Sequence, residues 1–189
     1  GRTPGEEGFP MSSGPAERLT LPVGERDHIQ GPANAPAILV EYGDYECPIC
    51  GGAYVTVKEI QQVMGDRLAF VFRNFPLSEM HPHAKDAAQA AEAAGAQGSF
   101  WEMHDMLFEN QDDLGRDHLA AYAEALGLDG NRLLDEIMTG TYAKRVQEDF
   151  RSGIRSGVNG TPTFFIQGIR YDGSHDVESM IAALTAGNG

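Results

Sequence analysis

The chain has 189 residues, of which 28 are acidic and 14 are basic, so its formal net charge is −14. That length suits one domain of ordinary size with a sizeable core. The acidic balance argues against nucleic acids and anionic membrane surfaces as partners. No apolar run approaches the roughly 18 residues of a membrane-spanning helix, so stable membrane insertion is not expected.

The beginning of the chain is rich in Gly, Pro, Ser and Glu and carries little apolar pattern. Residues 1–26 are therefore predicted to be a disordered lead or linker. This segment has neither the basic nor the apolar region of a secretory signal peptide. A cytoplasmic location is slightly favoured on that ground, and a cell-envelope location applies if a signal has been removed, so the compartment stays open.

The first regular elements are a strand, a helix and a second strand. Apolar, partly β-branched residues predict a strand over residues 37–42, and apolar residues at helical spacing predict a helix over 50–64. Gly65 ends that helix, and residues 68–75 form the next predicted strand. A strand, a helix and a strand in this order indicate a parallel pair joined by a right-handed crossover.

The pattern then becomes almost entirely helical over residues 79–157. Asp117 and Asp129 are the expected caps of two of these helices. Strand signals return at residues 163–166, and a tight turn leads into 169–171, which predicts a β-hairpin. Asp176 is the expected cap of a last amphipathic helix.

This order of elements predicts an α/β protein with a thioredoxin-like fold. Its core comprises residues 27–78 and 158–189, and residues 79–157 form a helical domain inserted between the two halves of the core.

Both cysteines of the chain lie in the motif Cys47-Pro48-Ile49-Cys50, at the junction of the first strand and the first helix. Pro48 suits the first helical position, which places Cys47 at or near the N-cap. The positive end of the helix dipole then favours the Cys47 thiolate, the reactive form. Cys50 lies one turn further along the same face, so Cys47 is the expected nucleophile and Cys50 the resolving thiol.

Two other roles for the cysteines stay open. A structural disulfide between them would close a very small loop and contribute little stability. A zinc site would combine the cysteines with His81 and His83, although the spacing of these histidines differs from that of a standard zinc finger.

Four segments follow one another in the chain: Cys-Pro-Ile-Cys at 47–50, Arg-Asn-Phe-Pro-Leu at 73–77, Phe-Trp-Glu-Met-His-Asp-Met-Leu-Phe at 100–108 and Gly-Val-Asn-Gly-Thr-Pro-Thr-Phe-Phe-Ile at 157–166. Together they resemble the DsbA-like thiol–disulfide oxidoreductases of the thioredoxin superfamily, including the thioredoxin-like domains fused to bacterial sodium/proton antiporters. The resemblance runs from about residue 28 to residue 184.

The resemblance implies that Pro162 follows a cis peptide bond and faces the cysteines, with Thr161 pairing with a substrate strand. Pro162 as a simple strand starter is the alternative. The resemblance also places Glu41 as a buried acid behind the cysteine pair, where burial would raise its pKa and let it relay a proton to or from Cys50. As an alternative, Glu41 is an exposed residue at a strand end.

Family members that oxidise strongly carry histidine at the third motif position, where this chain has Ile49. Without that cation the pKa of Cys47 is expected to be higher and its disulfide a weaker oxidant. The acidic neighbours Asp44 and Glu46 would raise the same pKa if they lie close to Cys47.

The sequence therefore predicts a thiol–disulfide oxidoreductase that exchanges disulfides with protein, peptide or small-thiol partners through Cys47 and Cys50, without a cofactor or metal. Pro48, Ile49 and Thr161 are the expected substrate contacts. The redox partner is not identified. The alternative from another class is a non-catalytic thioredoxin-like module that binds a partner or a metal in the same groove.

Overall fold

The computed structural model describes residues 17–186. The strands are β1 (His28–Gln30), β2 (Ala37–Gly43), β3 (Leu68–Asn74), β4 (Thr163–Ile166) and β5 (Ile169–Tyr171). The helices are α1 (Pro48–Met64), α2 (Ala84–Ala96), α3 (Phe100–Phe108), α4 (Arg116–Ala125), α5 (Gly130–Thr139), α6 (Ala143–Arg155) and α7 (Val177–Thr185), and a short 3₁₀ helix spans Gly65–Arg67.

The five strands form one mixed sheet in the order β1-β3-β2-β4-β5. The central strands β2 and β3 are parallel, with Val40 opposite Val71, and α1 makes the crossover between them. Strand β4 runs antiparallel to β2 and places Phe164 opposite Glu41. The predicted βαβ unit and the β4–β5 hairpin are confirmed.

Alternating residues of β2 and β3 point to opposite faces of the sheet, and both faces are buried. On one face, Leu39 and Phe72 join a large apolar cluster with α1, α7 and the helices of the insertion. On the other face, Tyr42 and Val71 join a smaller cluster in which Phe75 stacks on Phe150 of α6. The carboxyl ends of β2 and β3 thus emerge between two cores, which fixes the turn that follows β2.

Helices α2 to α6 all lie between β3 and β4 in the chain, as a thioredoxin-like fold with a helical insertion requires. Asp129 and Asp176 cap α5 and α7, since their carboxylates accept hydrogen bonds from the backbone N–H groups of Arg132 and Ser179. The fold class predicted from the sequence is confirmed, whereas the exact limits of core and insertion stay a prediction.

Three local features differ from expectation. Residues 28–30 form an edge strand antiparallel to β3, which the sequence analysis did not predict. The N-cap of α4 is Gly115, because the helix begins one residue before Asp117, which lies in its first turn.

The third difference concerns the predicted disordered lead. Its first sixteen residues lie outside the described part of the chain, but Arg18 bridges to Ile169 and the backbone N–H of Leu19 donates to Gly168 O at 2.9 Å. Leu19 and Val23 also pack on the smaller apolar cluster. The predicted disorder therefore does not extend to residues 17–26, because apolar side chains of this segment are partly buried against the sheet.

Among residues 17–186, no helix combines the length and the apolar character needed to cross a membrane.

Candidate active site at the start of helix α1

The two cysteines lie where β2 turns into α1. Cys47 is the N-cap residue with extended backbone angles (φ −72°, ψ 121°), and Pro48 occupies the first turn, as the sequence predicted. The carbonyl of Cys47 accepts the first helical hydrogen bond from Gly51 N at 3.1 Å. Both cysteines are free thiols; Cys47 is 5% exposed and Cys50 is fully buried.

The surroundings of Cys47 favour its thiolate. A hydrogen bond from the Cys50 thiol is the largest influence that lowers the pKa of Cys47, which falls to about 5 although burial opposes the shift. Backbone hydrogen bonds from Cys50 and Ile49, at the open end of α1, act in the same direction. At neutral pH the Cys47 sulfur is thus a thiolate, even with Ile49 at the third motif position.

Cys50 has the opposite chemistry. Its hydrogen bond to the Cys47 thiolate, its burial and the charge of Glu41 raise its pKa well above the usual range of a thiol. Cys50 therefore stays protonated when Cys47 ionises, and the pair holds one proton and one negative charge.

Glu41 lies on β2 beneath this pair and is 2% exposed. Burial, and then the charge of Cys47, raise the pKa of its carboxyl to about 8. Its Oε2 atom has no hydrogen-bond partner among the described residues. The expectation of a buried acid is met in position, and the carboxyl is neutral over most of the physiological pH range.

Thr161 and Pro162 lie opposite Cys47, at the entry to β4, and the peptide bond between them is cis. When Cys47 is protonated, its thiol donates a long hydrogen bond to Thr161 O, with a sulfur–oxygen distance of 3.7 Å. The buried Thr161 Oγ1 has no other partner in the described chain and is available to donate to a Cys47 thiolate. Sequence segments 114 residues apart thus meet at one sulfur atom.

The outer surface of the motif is apolar. Ile49 has 68% of its surface exposed, and Pro48 beside it is also exposed. An isoleucine this exposed, next to a buried thiol, offers a contact surface for another molecule.

From the sequence, Asp44 and Glu46 could have faced Cys47 without a partner, but in the structure both carboxylates are paired. His81 Nδ1 lies 2.8 Å from Asp44 Oδ2, and His83 Nδ1 lies 2.7 Å from Glu46 Oε2. These two histidines were considered only as zinc ligands from the sequence; they contact the two carboxylates instead. In the part of the chain that the structure describes, no group of three His, Cys, Asp or Glu side chains is arranged to hold a metal ion.

Gln111 is a further residue that sequence reasoning missed. Its Nε2 donates to Tyr45 O at 2.9 Å and to Cys47 O at 2.8 Å, tying the insertion to the start of α1. Gly51 allows this approach, because a Cβ there would lie 2.2 Å from Gln111 Oε1. Nothing near residue 111 in the sequence signals the contact, which spans 64 residues.

The comparisons with known proteins agree with this geometry. A family described as Thioredoxin matches residues 24–186. Among solved structures, BdbD from Bacillus subtilis in its oxidised form superposes with a TM-score of 0.80 at 23% identity, over 90% of this chain and 97% of that one. MdbA, a thiol–disulfide oxidoreductase from Actinomyces oris, superposes with a TM-score of 0.70 at 20% identity, over 85% of each chain.

Among curated sequences, the chain is similar to proteins named as sodium/proton antiporters. It is 46% identical over 169 residues to the Na(+)/H(+) antiporter NhaA 1 of Salinispora arenicola, which covers 89% of this chain and 26% of the relative. A similarly named protein of Herminiimonas arsenicoxydans is 42% identical over 162 residues and is also covered to 26%. The chain therefore spans about a quarter of the length of these relatives.

The strand and helix that carry the cysteine pair, the cis peptide bond opposite and the family match over residues 24–186 lead to one assignment. The chain belongs to the thioredoxin family, and its fold is that of the DsbA-like thiol–disulfide oxidoreductases.

Proposed function

We propose that this protein is a thiol–disulfide oxidoreductase that acts through Cys47 and Cys50. The observation that carries the proposal is the asymmetry of the pair: the pKa of Cys47 falls to about 5, while that of Cys50 is raised. A structural disulfide needs no such asymmetry, whereas disulfide exchange requires one good nucleophile and leaving group beside a thiol that resolves the intermediate.

The exchange runs in two steps in the oxidising direction. A substrate thiolate attacks the Cys47 sulfur of the Cys47–Cys50 disulfide, and the Cys50 sulfur leaves and takes up a proton. A second substrate thiolate then attacks the substrate sulfur of this mixed disulfide and expels the Cys47 thiolate. The substrate loses two electrons and gains a disulfide, and the protein gains a thiolate and a thiol; the reverse sequence reduces a substrate.

Glu41 is proposed to supply the proton that Cys50 takes up. With a pKa of about 8, its carboxyl is mostly protonated at neutral pH and is a suitable proton donor. The sulfur of Cys50 lies in a site without exposure to water, so a buried neighbour is needed to carry the proton. Removing Glu41 should slow the step that moves this proton without changing the overall electron balance.

The substrate chain is proposed to lie beside Pro162, with its backbone against Thr161. Pro48 and Ile49 then contact its side chains through an exposed apolar surface with no charge of its own. Such a contact tolerates many sequences, which suits a protein or peptide substrate better than one small molecule. No cofactor or metal takes part in the proposed exchange.

The reduction potential should be intermediate. A pKa of about 5 for Cys47 lies between those of the reactive thiols of DsbA, about 3.5, and thioredoxin, about 7. A more stable thiolate favours the reduced form, so the potential is expected between about −270 mV and about −120 mV.

The test is to equilibrate the protein in glutathione buffers, quench with acid and count alkylated thiols by mass, with metal content assayed on the same sample. We expect a single two-electron transition. The variant Cys50→Ser should accumulate a mixed disulfide on Cys47, and Cys47→Ser, the matched control, should accumulate none.

Cysteines that do not cycle, or one zinc ion per chain, would overturn the proposal in favour of a non-catalytic module that binds a partner or a metal. The antiporter named in the relatives is not included in the proposal, because the matched part covers only about a quarter of their length.

A further inference from the structure

The turn that leads into Cys47 is acidic, with Asp44 and Glu46 three and one residues before the cysteine. Negative charge beside a thiol disfavours its ionisation. Both carboxylates, however, are bound by one loop, the segment 77–83 between β3 and α2, which we call the histidine loop. The contacts span 37 residues for each pair.

Every oxygen of the Asp44 carboxylate has a partner. Oδ2 accepts from the backbone N–H of Leu77 at 2.9 Å and lies 2.8 Å from His81 Nδ1, and Oδ1 accepts from the backbone N–H of Glu46 at 2.8 Å. The Asp44 side chain is fully buried, and that of His81 is 16% exposed. A carboxylate held by three donors has a fixed orientation.

Glu46 is bound in the same way by the next histidine of the loop. Oε1 accepts from the backbone N–H of His83 at 2.9 Å, and Oε2 lies 2.7 Å from His83 Nδ1. The Glu46 side chain is 15% exposed and that of His83 is 49% exposed. Both histidines thus direct Nδ1 toward a carboxylate, and an imidazole ring that is protonated on both nitrogens places a positive charge beside its acid.

We propose that His81 and His83 are positioning residues of the redox site, which hold the carboxylates of Asp44 and Glu46 and compensate their charge so that the Cys47 sulfur can carry a negative charge. The inference rests on the proposed oxidoreductase function. The titratable groups concerned are Cys50 on α1, the three acids Glu41, Asp44 and Glu46 on the β2 side, and the two histidines on the loop that packs against it.

His81 and His83 act through the two carboxylates and do not contact the substrate. Removing a ring leaves its carboxylate with backbone donors alone and with an uncompensated charge. The Cys47 thiolate then becomes less stable, while the thiolate once formed keeps its access to a reagent. The effect is therefore confined to the pH range in which Cys47 titrates.

The test measures the rate of Cys47 alkylation by iodoacetamide from pH 4 to pH 9 in the reduced full chain, by mass. The variants are His81→Ala, His83→Ala and the double variant, with His118→Ala as matched control. The His118 side chain is 55% exposed on α4, and its ion pair, with Asp113 at 3.9 Å, lies outside the active-site turn.

We expect alkylation of the double variant to be about fivefold slower than that of the wild type at pH 5 and equal to it at pH 8, as follows from a rise of about one in the pKa of Cys47. His81→Asn and His83→Asn keep an N–H donor without a positive charge and should recover part of the rate. The control should match the wild type throughout.

A loss of rate that is equal at pH 5 and pH 8 would overturn the proposal, since it would indicate a merely structural role. An unchanged profile would overturn it as well. His83→Ala serves alone if the double variant does not fold, because its ring is half exposed. Failure of the proposed function looks different: the wild type itself would then alkylate as an ordinary thiol, with its rate still rising above pH 8.

Discussion

Glu41 and Arg73 are both buried ionisable residues on the two central strands. They face opposite sides of the sheet and differ in whether a countercharge lies beside them. The guanidinium of Arg73 binds both oxygens of Asp27, at 2.8 Å and 2.9 Å, and donates to Tyr42 Oη at 2.9 Å. Glu41 has one carboxylate oxygen with no partner among residues 17–186.

The difference separates two uses of buried polarity. The side chains of Arg73 and Asp27 are both fully buried and form an ion pair, which fixes β3 to the segment before β1. Glu41 lacks a countercharge and responds by holding its proton. A buried charge that is paired with a countercharge stabilises the fold. A buried acid without a countercharge holds its proton and can act as a proton donor in a reaction.

Breaking the Arg73–Asp27 ion pair should change the free energy of unfolding more than any other substitution proposed below. Asp27→Asn leaves the buried guanidinium without its countercharge, which should lower the free energy of unfolding by about 4 kcal/mol. Urea unfolding of the reduced protein measures this. Arg116→Gln, which removes one side of the half-exposed Arg116–Asp86 pair, is the control and should change stability by less than about 1 kcal/mol.

The reduction potential of Asp27→Asn should equal that of the wild type, because Arg73 and the cysteines lie on different faces of the sheet. A changed potential with unchanged stability would contradict the distinction between the two sides.

The next largest effect is expected at Glu41 and has the opposite sign. The folded pKa of about 8 lies above the ordinary value of 4.5, so the folded protein binds more protons than the unfolded chain between these pH values. The stabilising contribution that Glu41 makes to the free energy of unfolding is thus fully present below about pH 4.5 and is lost as the pH rises toward 8.

Glu41→Gln removes that loss. The variant should gain about 3 kcal/mol over the reduced wild type at pH 7, with little difference at pH 4. Urea unfolding at the two pH values tests this, and Glu59→Gln, on the outer part of α1, should show no such pH dependence. A Glu41→Gln variant less stable than the wild type at pH 7 would show that the carboxylate is compensated after all.

The smallest effect is expected where a neutral side chain supports the cysteine turn. Gln111→Ala removes two hydrogen bonds to backbone carbonyls and should lower stability by about 1 kcal/mol. Gln97, which makes its contacts at Asp129, provides the matched control Gln97→Ala. A pH profile of Cys47 alkylation that shifts as far in Gln111→Ala as in the double variant His81→Ala/His83→Ala would mean that the turn is held by geometry and not by charge.

Local rules made the strand, the helix start and the cysteine pair predictable. Pro48 at the first helical position and the apolar, partly β-branched run in β2 act over a few positions, so the sequence displays them directly. The same holds for Asp129, whose carboxylate accepts a hydrogen bond from the backbone N–H of Arg132, only three positions away.

The contacts that complete the site were not predictable in this way. His81 reaches Asp44 across 37 residues and Gln111 reaches Cys47 across 64, and no local pattern encodes either distance. The placement of Pro162 against Cys47 was expected only through resemblance to a family, since propensity favours a trans bond. Asp117 shows that a local signal can also mislead. Although aspartate is a good capping residue, α4 begins at Arg116 and its N-cap is Gly115.

The reduction potential as a function of pH is the decisive test of the asymmetric cysteine pair. With Cys47 ionising at about pH 5 and Cys50 protonated throughout, reduction takes up one proton above pH 5 and two below it. The potential should therefore fall by about 30 mV per pH unit between pH 5 and 7, and by about 59 mV per unit below pH 5. A slope of about 59 mV that continues unbroken to pH 7 would show two ordinary thiols and contradict the account.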